Sequence, residues 1–321
     1  MKINYPPKLN LANIPTPIQK IKFENRNFLI KRDDLTGSLL SGNKVRKLEY
    51  LLHEAKRKRA EYIFTCGGEQ SNHSRAVVIA AKKLGLKVKL FLWGKDSQSA
   101  KGNLFLDKFF GAEISYLNKE NYSDVNNIMQ EEAEALKEKG KKVYVIPEGG
   151  SNALGIWGYI SFVDELSKQV DLKNIKGILS ASGSGGTAAG LLVGVSLLKL
   201  PVKIYAVNVL YSKDVIRKKI LNLAEGCIYE YDLSCKLDES KLEILDGYSE
   251  EGYKNIEKKK LKLIKSFAQS SGILLDPAYT GKAFAAYYEN FLMKRKGMNV
   301  IFVHTGGMFG AFAKNKEYLA V

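Results

Sequence analysis

The segment Ser182-Gly183-Ser184-Gly185-Gly186-Thr187 is a glycine-rich turn between a β-rich run and an apolar helical pattern. The run before it, at 177–181, has the length and composition of a buried strand, and an apolar helical pattern begins at Ala188. A strand, a glycine turn and a helix in this order form the repeating unit of parallel α/β sheets. This segment therefore predicts the α/β fold class.

The same alternation continues in both directions along the 321 residues. Strands are predicted at 28–31, 62–66, 87–93, 113–117, 142–146, 177–181, 203–209 and 299–304. Helical spacing separates most of them and is clearest at 124–140, 156–169, 258–270 and 281–295. This pattern predicts parallel-rich sheets covered by helices, and the length suits two lobes. No Gly/Ser/Pro-rich linker marks a boundary between them.

Composition and charge indicate where the protein is located and which kinds of partner it has. Hydrophobic residues make up 45% and charged residues 26%, and no apolar run approaches the roughly 20 residues of a membrane span. The N-terminus lacks the apolar core of a secretory signal, so we expect a cytoplasmic protein with no membrane partner. Three scattered cysteines predict neither disulfides nor a metal site. The net charge of +16 is spread along the chain, which favours a solvated basic surface over a nucleic-acid site.

Lys44 lies near the start of a predicted helix, in the segment Ser41-Gly42-Asn43-Lys44. At about 100° per residue, Lys44 falls within the apolar stripe of this helix. The other members of the stripe are Val45, Leu48, Leu51, Leu52 and Ala55. The opposite face carries Arg46, His53 and Arg57. A lysine on a buried face is desolvated, which lowers its pKa and suits it to Schiff-base chemistry. The alternative is that Lys44 bends its ammonium group out to water.

A second glycine turn, Gly67-Gly68, stands between a predicted strand and a helix that begins near Ser71. Backbone N–H groups at a helix start, together with the Ser71 and Asn72 side chains, form a site for a carboxylate. The alternative is an ordinary N-cap at Ser71. His73, in the first turn of the helix, is either a general acid or simply a polar helix residue.

The glycine amides of the turn at 183–186 predict a phosphate site, with hydroxyl donors from Ser184 and Thr187. A P-loop would require a lysine after its last glycine. A dinucleotide fingerprint would require an acidic residue at the end of the next strand, where the chain has Val207-Asn208-Val209-Leu210. A phosphate monoester is therefore favoured. Together with a desolvated lysine and a carboxylate site, it predicts pyridoxal 5'-phosphate as the cofactor.

Five motifs, in order, resemble the family of D-cysteine desulfhydrases and 1-aminocyclopropane-1-carboxylate deaminases. They are Lys31-Arg32-Asp33-Asp34-Leu35, the segment from Ser41 to Glu49, Gly67-Gly68 with Gln70-Ser71-Asn72-His73, the segment from Ser182 to Thr187, and Leu275-Asp276-Pro277-Ala278-Tyr279-Thr280-Gly281-Lys282. The resemblance runs from about Ile14 to Gly310. It implies a lyase of fold type II, the tryptophan synthase β architecture, with a small lobe at 47–156 inserted in a large lobe at 1–46 and 157–321, and a homodimer.

Residue by residue, the resemblance implies a role for each motif. Lys44 would form the imine and move the Cα proton. Asn72 would contact the phenolic oxygen of the cofactor, and the substrate carboxylate would lie on Ser71, Asn72 and His73. Tyr279 would stack on the pyridine ring and Tyr253 would line the substrate side, so that both join Lys44 and Ser71 as catalytic residues. The phosphate would be cradled by Gly183, Ser184, Gly185, Gly186 and Thr187.

Thr280 is the most informative position for the substrate. In the deaminases the residue after the motif tyrosine is a glutamate that can protonate the pyridine nitrogen, whereas the desulfhydrases have threonine. A hydroxyl leaves the ring nitrogen neutral, which favours expulsion of a good leaving group such as thiolate. His73 also fits the desulfhydrases better. The sequence therefore predicts conversion of D-cysteine to pyruvate, sulfide and ammonia.

Three features depart from the resemblance. Glu69 stands where an apolar residue is usual, Lys254 stands where a glycine is usual, and the stretch 211–245 matches poorly. The first two could change the charge beside the substrate, and either could indicate a different amino acid, an α,β-elimination of another D-amino acid, or a β-replacement. Two further alternatives stay open: deamination of 1-aminocyclopropane-1-carboxylate, and a non-catalytic protein that binds pyridoxal phosphate or a polyanion.

Overall fold

The computed structural model describes residues 3–96, 99–253, 255–295 and 299–321. Its strands are β1 (Ile18–Phe23), β2 (Arg26–Lys31), β3 (Tyr62–Gly68), β4 (Lys87–Trp93), β5 (Glu113–Leu117), β6 (Val143–Val145), β7 (Gly177–Ser182), β8 (Lys203–Asn208), β9 (Leu242–Leu245) and β10 (Val300–Val303). Its α-helices are α1 (Asn43–Arg57), α2 (Asn72–Lys83), α3 (Gly102–Phe109), α4 (Lys119–Ser123), α5 (Val125–Glu138), α6 (Trp157–Gln169), α7 (Gly186–Leu197), α8 (Lys213–Glu230), α9 (Lys258–Ser271), α10 (Thr280–Tyr287), α11 (Met308–Ala313) and α12 (Asn315–Leu319).

The larger sheet has six strands in the order β1-β2-β10-β7-β8-β9. All neighbouring pairs are parallel except β1 and β2, which form an antiparallel hairpin at one edge. The hairpin turns at Glu24 and Asn25, which both have positive φ angles of 46° and 60°. Two left-handed residues in succession match the twist of the adjoining strands.

The smaller sheet has four parallel strands in the order β5-β4-β3-β6. Helix α2 packs on one face with the apolar residues of α1, and α5 packs on the other face. Strands covered on both faces bury their side chains on both sides, which explains the continuous apolar runs in β3 and β4. All strands within the predicted small lobe fall in this sheet, and the boundaries at 47 and 156 stay a prediction.

Helix α1 lies between the two sheets. Its apolar stripe packs into the core of the smaller sheet, and Tyr50 on another face joins the core of the larger sheet. Arg46 lies on the face opposite the apolar stripe, as the sequence predicts. That face is also covered, and Arg46 is buried in ion pairs with Asp33 and Glu165.

The predicted α/β class and parallel-rich sheets are confirmed, and each predicted strand is present within a few residues. Two strands were missed. Strand β1 was missed because its alternation is obscured by lysine and glutamine, and β9 lies in the stretch that resembles the family poorly. The helix predicted at 281–295 ends early, since a π-helical turn at Tyr288–Leu292 follows α10. Across the described ranges, no helix combines the length and apolar composition needed to cross a membrane.

Candidate active site

A cavity of about 580 Å³ opens where the carboxyl ends of strands from both sheets meet. Its wall includes the residues that end β3, β4 and β7 and those that follow β8 and β10. The first turns of α1, α2 and α7 also reach the wall. Ligands of α/β proteins bind at this edge of the sheet, and the partial positive charge of helix N-termini favours anions.

Lys44 lies on this wall in the first turn of α1, where its Nζ donates to Oδ1 of Asn43 at 3.0 Å. Burial and, to a smaller extent, the positive charge of Arg75 lower the pKa of Lys44 to about 8, although Asp276 and Glu148 oppose the shift. The amine therefore faces the cavity and does not extend to bulk water. A lysine of low pKa is partly neutral near pH 8 and can act as a nucleophile or a base.

The glycine turn before α7 forms another part of the wall through Gly183, Ser184, Gly185 and Thr187. Gly185 caps the helix with a φ of 87°, which favours glycine. The hydroxyl of Thr187 accepts from Nδ2 of Asn43 at 2.9 Å, which ties this turn to the residue next to Lys44.

Gly186 is placed behind this turn and not on the wall. A Cβ on Gly186 would lie 2.4 Å from Oγ of Ser151 and 2.6 Å from Nζ of Lys47. The glycine is thus required for close packing.

Lys47 was not assigned a role from the sequence, but the structure places it directly behind the glycine turn. Its buried Nζ donates to the Gly149 carbonyl at 3.0 Å and to Oγ of Ser151 at 3.1 Å, and Ser151 contacts Oγ of Ser184 at 2.8 Å. Burial, followed by the charge of Lys44, holds the pKa of Lys47 well below its usual value. Spacing of three residues on one helix places the two lysines on one face, and this was the signal available in the sequence.

The predicted carboxylate site forms the start of α2. Ser71 is the N-cap and accepts from the backbone of Ser74 at 3.1 Å, so the alternative of an N-cap also holds. Asn72 lies on the wall, with its Oδ1 held by Nδ2 of Asn103 at 2.9 Å. This contact orients the amide and leaves its N–H groups for the cavity. The open N–H groups of the helix start lie beside it.

His73 lies on the wall but is buried, and its Nε2 is 2.9 Å from Oγ1 of Thr65. Because Thr65 donates its own proton to the Ile146 carbonyl, His73 donates from Nε2. Burial and the charges of Lys44 and Lys47 hold the pKa of His73 well below 6.5. The imidazole is neutral at physiological pH, which argues against the role of a general acid.

Tyr253 and Tyr279 lie together on the wall, with ring centroids 5.7 Å apart and an edge-to-face angle of 78°. Burial raises the pKa of both phenols, so both stay protonated. Two glycines make room for them. A Cβ on Gly68 would lie 3.1 Å from Cε1 of Tyr253, and a Cβ on Gly183 would lie 3.1 Å from Cε1 of Tyr279.

Thr280, which was predicted to contact the cofactor, is not among the described residues of the cavity wall. It is buried, and its hydroxyl donates to Oδ1 of Asp276 at 2.6 Å and accepts from the Asp276 backbone at 2.9 Å. Besides Thr187, the cavity is lined by Thr305, which follows β10 and was not singled out from the sequence.

Glu69 is also placed differently from the expectation. It is not among the described residues of the cavity wall, and its Oε1 accepts from the backbone of Lys95 at 3.2 Å. Lys254 lies outside the described residues.

These residues fit pyridoxal phosphate. The cavity offers an amine of low pKa, a helix start with glycine amides and hydroxyl groups for a phosphate, and an aromatic ring for stacking. Within the described ranges, no group of three or more His, Cys, Asp or Glu residues could hold a metal ion.

Comparison with known proteins agrees with this fit. The family model described as "Pyridoxal-phosphate dependent enzyme" matches residues 9–306. The chain belongs to the pyridoxal-phosphate dependent enzyme family. A Thermotoga maritima relative of this family, named "Putative 1-aminocyclopropane-1-carboxylate deaminase", is 43% identical over 97% of this chain and 99% of its own.

One further relative and one solved structure are also similar to this chain over most of its length. The mitochondrial bifunctional D-cysteine desulfhydrase/1-aminocyclopropane-1-carboxylate deaminase of Arabidopsis thaliana is 36% identical over 95% of this chain and 79% of its own. A crystal structure of an ACC deaminase homologue superposes with a TM-score of 0.88 at 36% identity, covering 98% of this chain and 96% of that chain. The resemblance, the fold type II architecture and the cofactor predicted from the sequence are confirmed.

Proposed function

We propose that this pyridoxal-phosphate enzyme catalyses α,β-elimination on a small amino acid, with D-cysteine as the substrate. D-cysteine and water would yield pyruvate, hydrogen sulfide and ammonia. The family as a whole acts on small amino acids, and the name of the Arabidopsis relative includes this activity.

The proposal rests on the hydrogen bonds made by Asp276, the acidic residue nearest in sequence to Tyr279. Its Oδ2 accepts from the backbones of Ala278 at 3.0 Å and Tyr279 at 2.9 Å, and its Oδ1 accepts from both the backbone and the hydroxyl of Thr280, at 2.7 and 2.6 Å. The carboxylate is therefore fully engaged within its own turn.

Glu148, the one carboxylate among the described residues of the cavity wall, is held by the hydroxyls of Tyr122 and Tyr211, and Thr305 on the same wall carries a hydroxyl. When bound, pyridoxal phosphate supplies an electron sink that stabilises negative charge at Cα. A hydroxyl does not protonate a pyridine nitrogen, so this sink stays weak. A substrate with a good leaving group on Cβ is then favoured, since the electron pair leaves with the thiolate.

Separate residues of the chain would remove the proton, bind the substrate and support the cofactor ring. Lys44 would remove the proton from Cα because its amine is partly neutral near pH 8. The N–H groups at the start of α2, with Ser71 and Asn72, would hold the substrate carboxylate. Tyr279 would support the cofactor ring and Tyr253 would border the substrate, both as protonated phenols.

The cofactor phosphate would be held by the turn before α7 and by Thr187. Lys47 would add a positive charge behind this turn, since a nearby phosphate raises the pKa of a lysine. The amide of Asn72 would contact the phenolic oxygen of the cofactor. Thr280 would support the turn that carries Tyr279 and would not contact the cofactor.

Deamination of 1-aminocyclopropane-1-carboxylate is the second candidate, favoured by the name of the Thermotoga relative. Release of pyruvate and sulfide from D-cysteine by the purified holoenzyme tests the proposal, with L-cysteine, D-serine and 1-aminocyclopropane-1-carboxylate alongside. Pyruvate and sulfide from D-cysteine support it. Ammonia and 2-oxobutyrate from 1-aminocyclopropane-1-carboxylate, with nothing from D-cysteine, would select the second candidate.

A homodimer and a cytoplasmic location are part of the same proposal. Four exposed apolar side chains lie close together on α3 and α11, and they are Phe105, Phe109, Met308 and Phe312. Phe109 is 71% exposed, which makes this surface a candidate for contact with a second copy of the chain. Phe109→Asp is expected to yield monomers in light scattering, whereas Tyr229→Asp, at an exposed tyrosine of α8, should leave the dimer intact.

A further inference from the structure

Glu148 is the only carboxylate among the described residues of the cavity wall. It begins the turn after β6, in which Gly149 and Gly150 have positive φ angles of 65° and 59°. A Cβ on Gly149 would lie 2.2 Å from Oγ of Ser184, so the turn packs closely against the glycine turn before α7. This packing holds Glu148 beside the region assigned to the cofactor.

The carboxylate of Glu148 is fixed from both sheets. Its Oε1 accepts from the hydroxyl of Tyr122, in α4, at 2.9 Å. Its Oε2 accepts from the hydroxyl of Tyr211, which follows β8, at 3.4 Å. Two donors from opposite sides hold the charge in one place. The charge of Glu148 also acts on Lys44. Glu148 is one of the two carboxylates that oppose the lowering of the Lys44 pKa by burial.

The site leaves one direction for the side chain of a bound amino acid. Its carboxylate would lie at the start of α2 and its amino group near Lys44. The substituent on Cα would then face the rest of the wall, which includes Glu148, Tyr122 and Tyr211 as well as Tyr253. The cations Lys119 and Lys219 also line the cavity, but both are exposed, so water screens their charges more strongly.

We propose that Glu148 determines which charge the substrate side chain may carry, accepting neutral or cationic side chains and rejecting anionic ones. The inference rests on the proposed function only in taking an amino acid as the substrate. A carboxylate fixed on a partly buried wall repels a second carboxylate a few ångströms away, and such repulsion weakens binding at least about tenfold. A hydrogen-bond donor or a cation on the side chain meets no such repulsion.

Binding of three amino acids of similar size to the holoenzyme tests this assignment. The probes are aspartate, asparagine and 2,3-diaminopropionate, each as the D- and L-isomer, and the readout is the dissociation constant from the change in cofactor absorption. Glu148→Gln removes the charge and keeps the size and an acceptor oxygen for a tyrosine. Glu69→Gln is the matched control, because it makes the same chemical change at a residue that is not among the described residues of the cavity wall. Tyr122→Phe keeps the charge and removes one of its two donors.

The wild type should bind asparagine at least about tenfold more tightly than aspartate. Glu148→Gln should bring the ratio of the two dissociation constants close to one, whereas Glu69→Gln and Tyr122→Phe should preserve it. Equal binding of aspartate and asparagine by the wild type overturns the assignment. So does a Glu148→Gln variant that weakens all probes equally, since packing and not charge would then be responsible. D-cysteine turnover by the same samples reports on the proposed function separately.

Discussion

Arg46 donates two hydrogen bonds to Asp33, from Nε to Oδ2 at 2.9 Å and from Nη2 to Oδ1 at 2.8 Å, on the face of α1 that Lys44 does not share. Glu165 of α6 accepts from the same guanidinium at 2.8 and 3.0 Å. Lys31 of β2 donates to Glu165 at 2.5 Å, so two cations balance two carboxylates. This buried group attaches the first turn of α1 to the larger sheet and so sets the direction in which Lys44 leaves the helix.

Arg46→Met is expected to lower the free energy of unfolding by about 3–5 kcal/mol, because it leaves Asp33 and Glu165 buried with too few partners. Urea unfolding followed by circular dichroism measures the change. Arg57→Met is the control on the same helix, since its pair with Glu54 is exposed and should leave stability unchanged. Equal effects of the two substitutions would contradict the role of the buried group.

The phosphate turn and Lys44 could be predicted because their signals are local. A glycine turn between a strand and a helix, or a lysine on an apolar stripe, is visible within ten or so residues of sequence. The buried ion pairs of Arg46 could not be predicted in the same way. Its position on the opposite face was correct, but the sequence does not show that α6 covers that face, because Glu165 is far away in the chain.

The rate at which apoenzyme captures pyridoxal phosphate should rise with pH and level off above about 8. Only the neutral amine of Lys44 attacks the aldehyde, and its pKa is lowered to about 8, compared with 10.5 for an ordinary lysine. Below pH 8 the neutral fraction falls about tenfold per pH unit. Stopped-flow absorption measures the rate, with Lys44→Ala as the blank. A rate that still climbs at pH 10 would show that Arg75 and burial do not lower the pKa of this amine.

Lys47→Met should weaken cofactor binding by about ten- to a hundredfold, since a charge-assisted hydrogen bond contributes roughly 1.5–3 kcal/mol. The reason is the position of its Nζ behind the turn that would hold the phosphate. Equilibrium dialysis of pyridoxal phosphate against the apoenzyme measures the affinity. Lys56→Met, at an exposed lysine of the same helix, is the control and should bind the cofactor as the wild type does. Unchanged affinity in Lys47→Met would remove Lys47 from the phosphate site.

Lys47, Glu148 and Thr305 were missed because their partners come from distant parts of the chain. The acceptor of Lys47 on Gly149 lies 102 positions away, and the pairing of Glu148 with Tyr211 spans 63 positions. The hydroxyl of Thr280, in contrast, has a local partner. Its partner Asp276 is only four positions away, and this local bond turns the hydroxyl from the cavity into the turn.

Thr280, which follows Tyr279 in the sequence, and Thr305, on the cavity wall, give the sharpest test of the cofactor site. Thr305→Val should alter the absorption spectrum and the turnover of the holoenzyme while changing stability little, because the Thr305 side chain lies on the cavity wall. Thr280→Val should do the reverse. It removes two hydrogen bonds inside the buried turn and should lower the free energy of unfolding by about 1–3 kcal/mol, with the spectrum preserved. Spectra and urea unfolding of both variants decide the matter. A changed spectrum in Thr280→Val with a normal one in Thr305→Val would restore Thr280 as the residue that faces the pyridine ring.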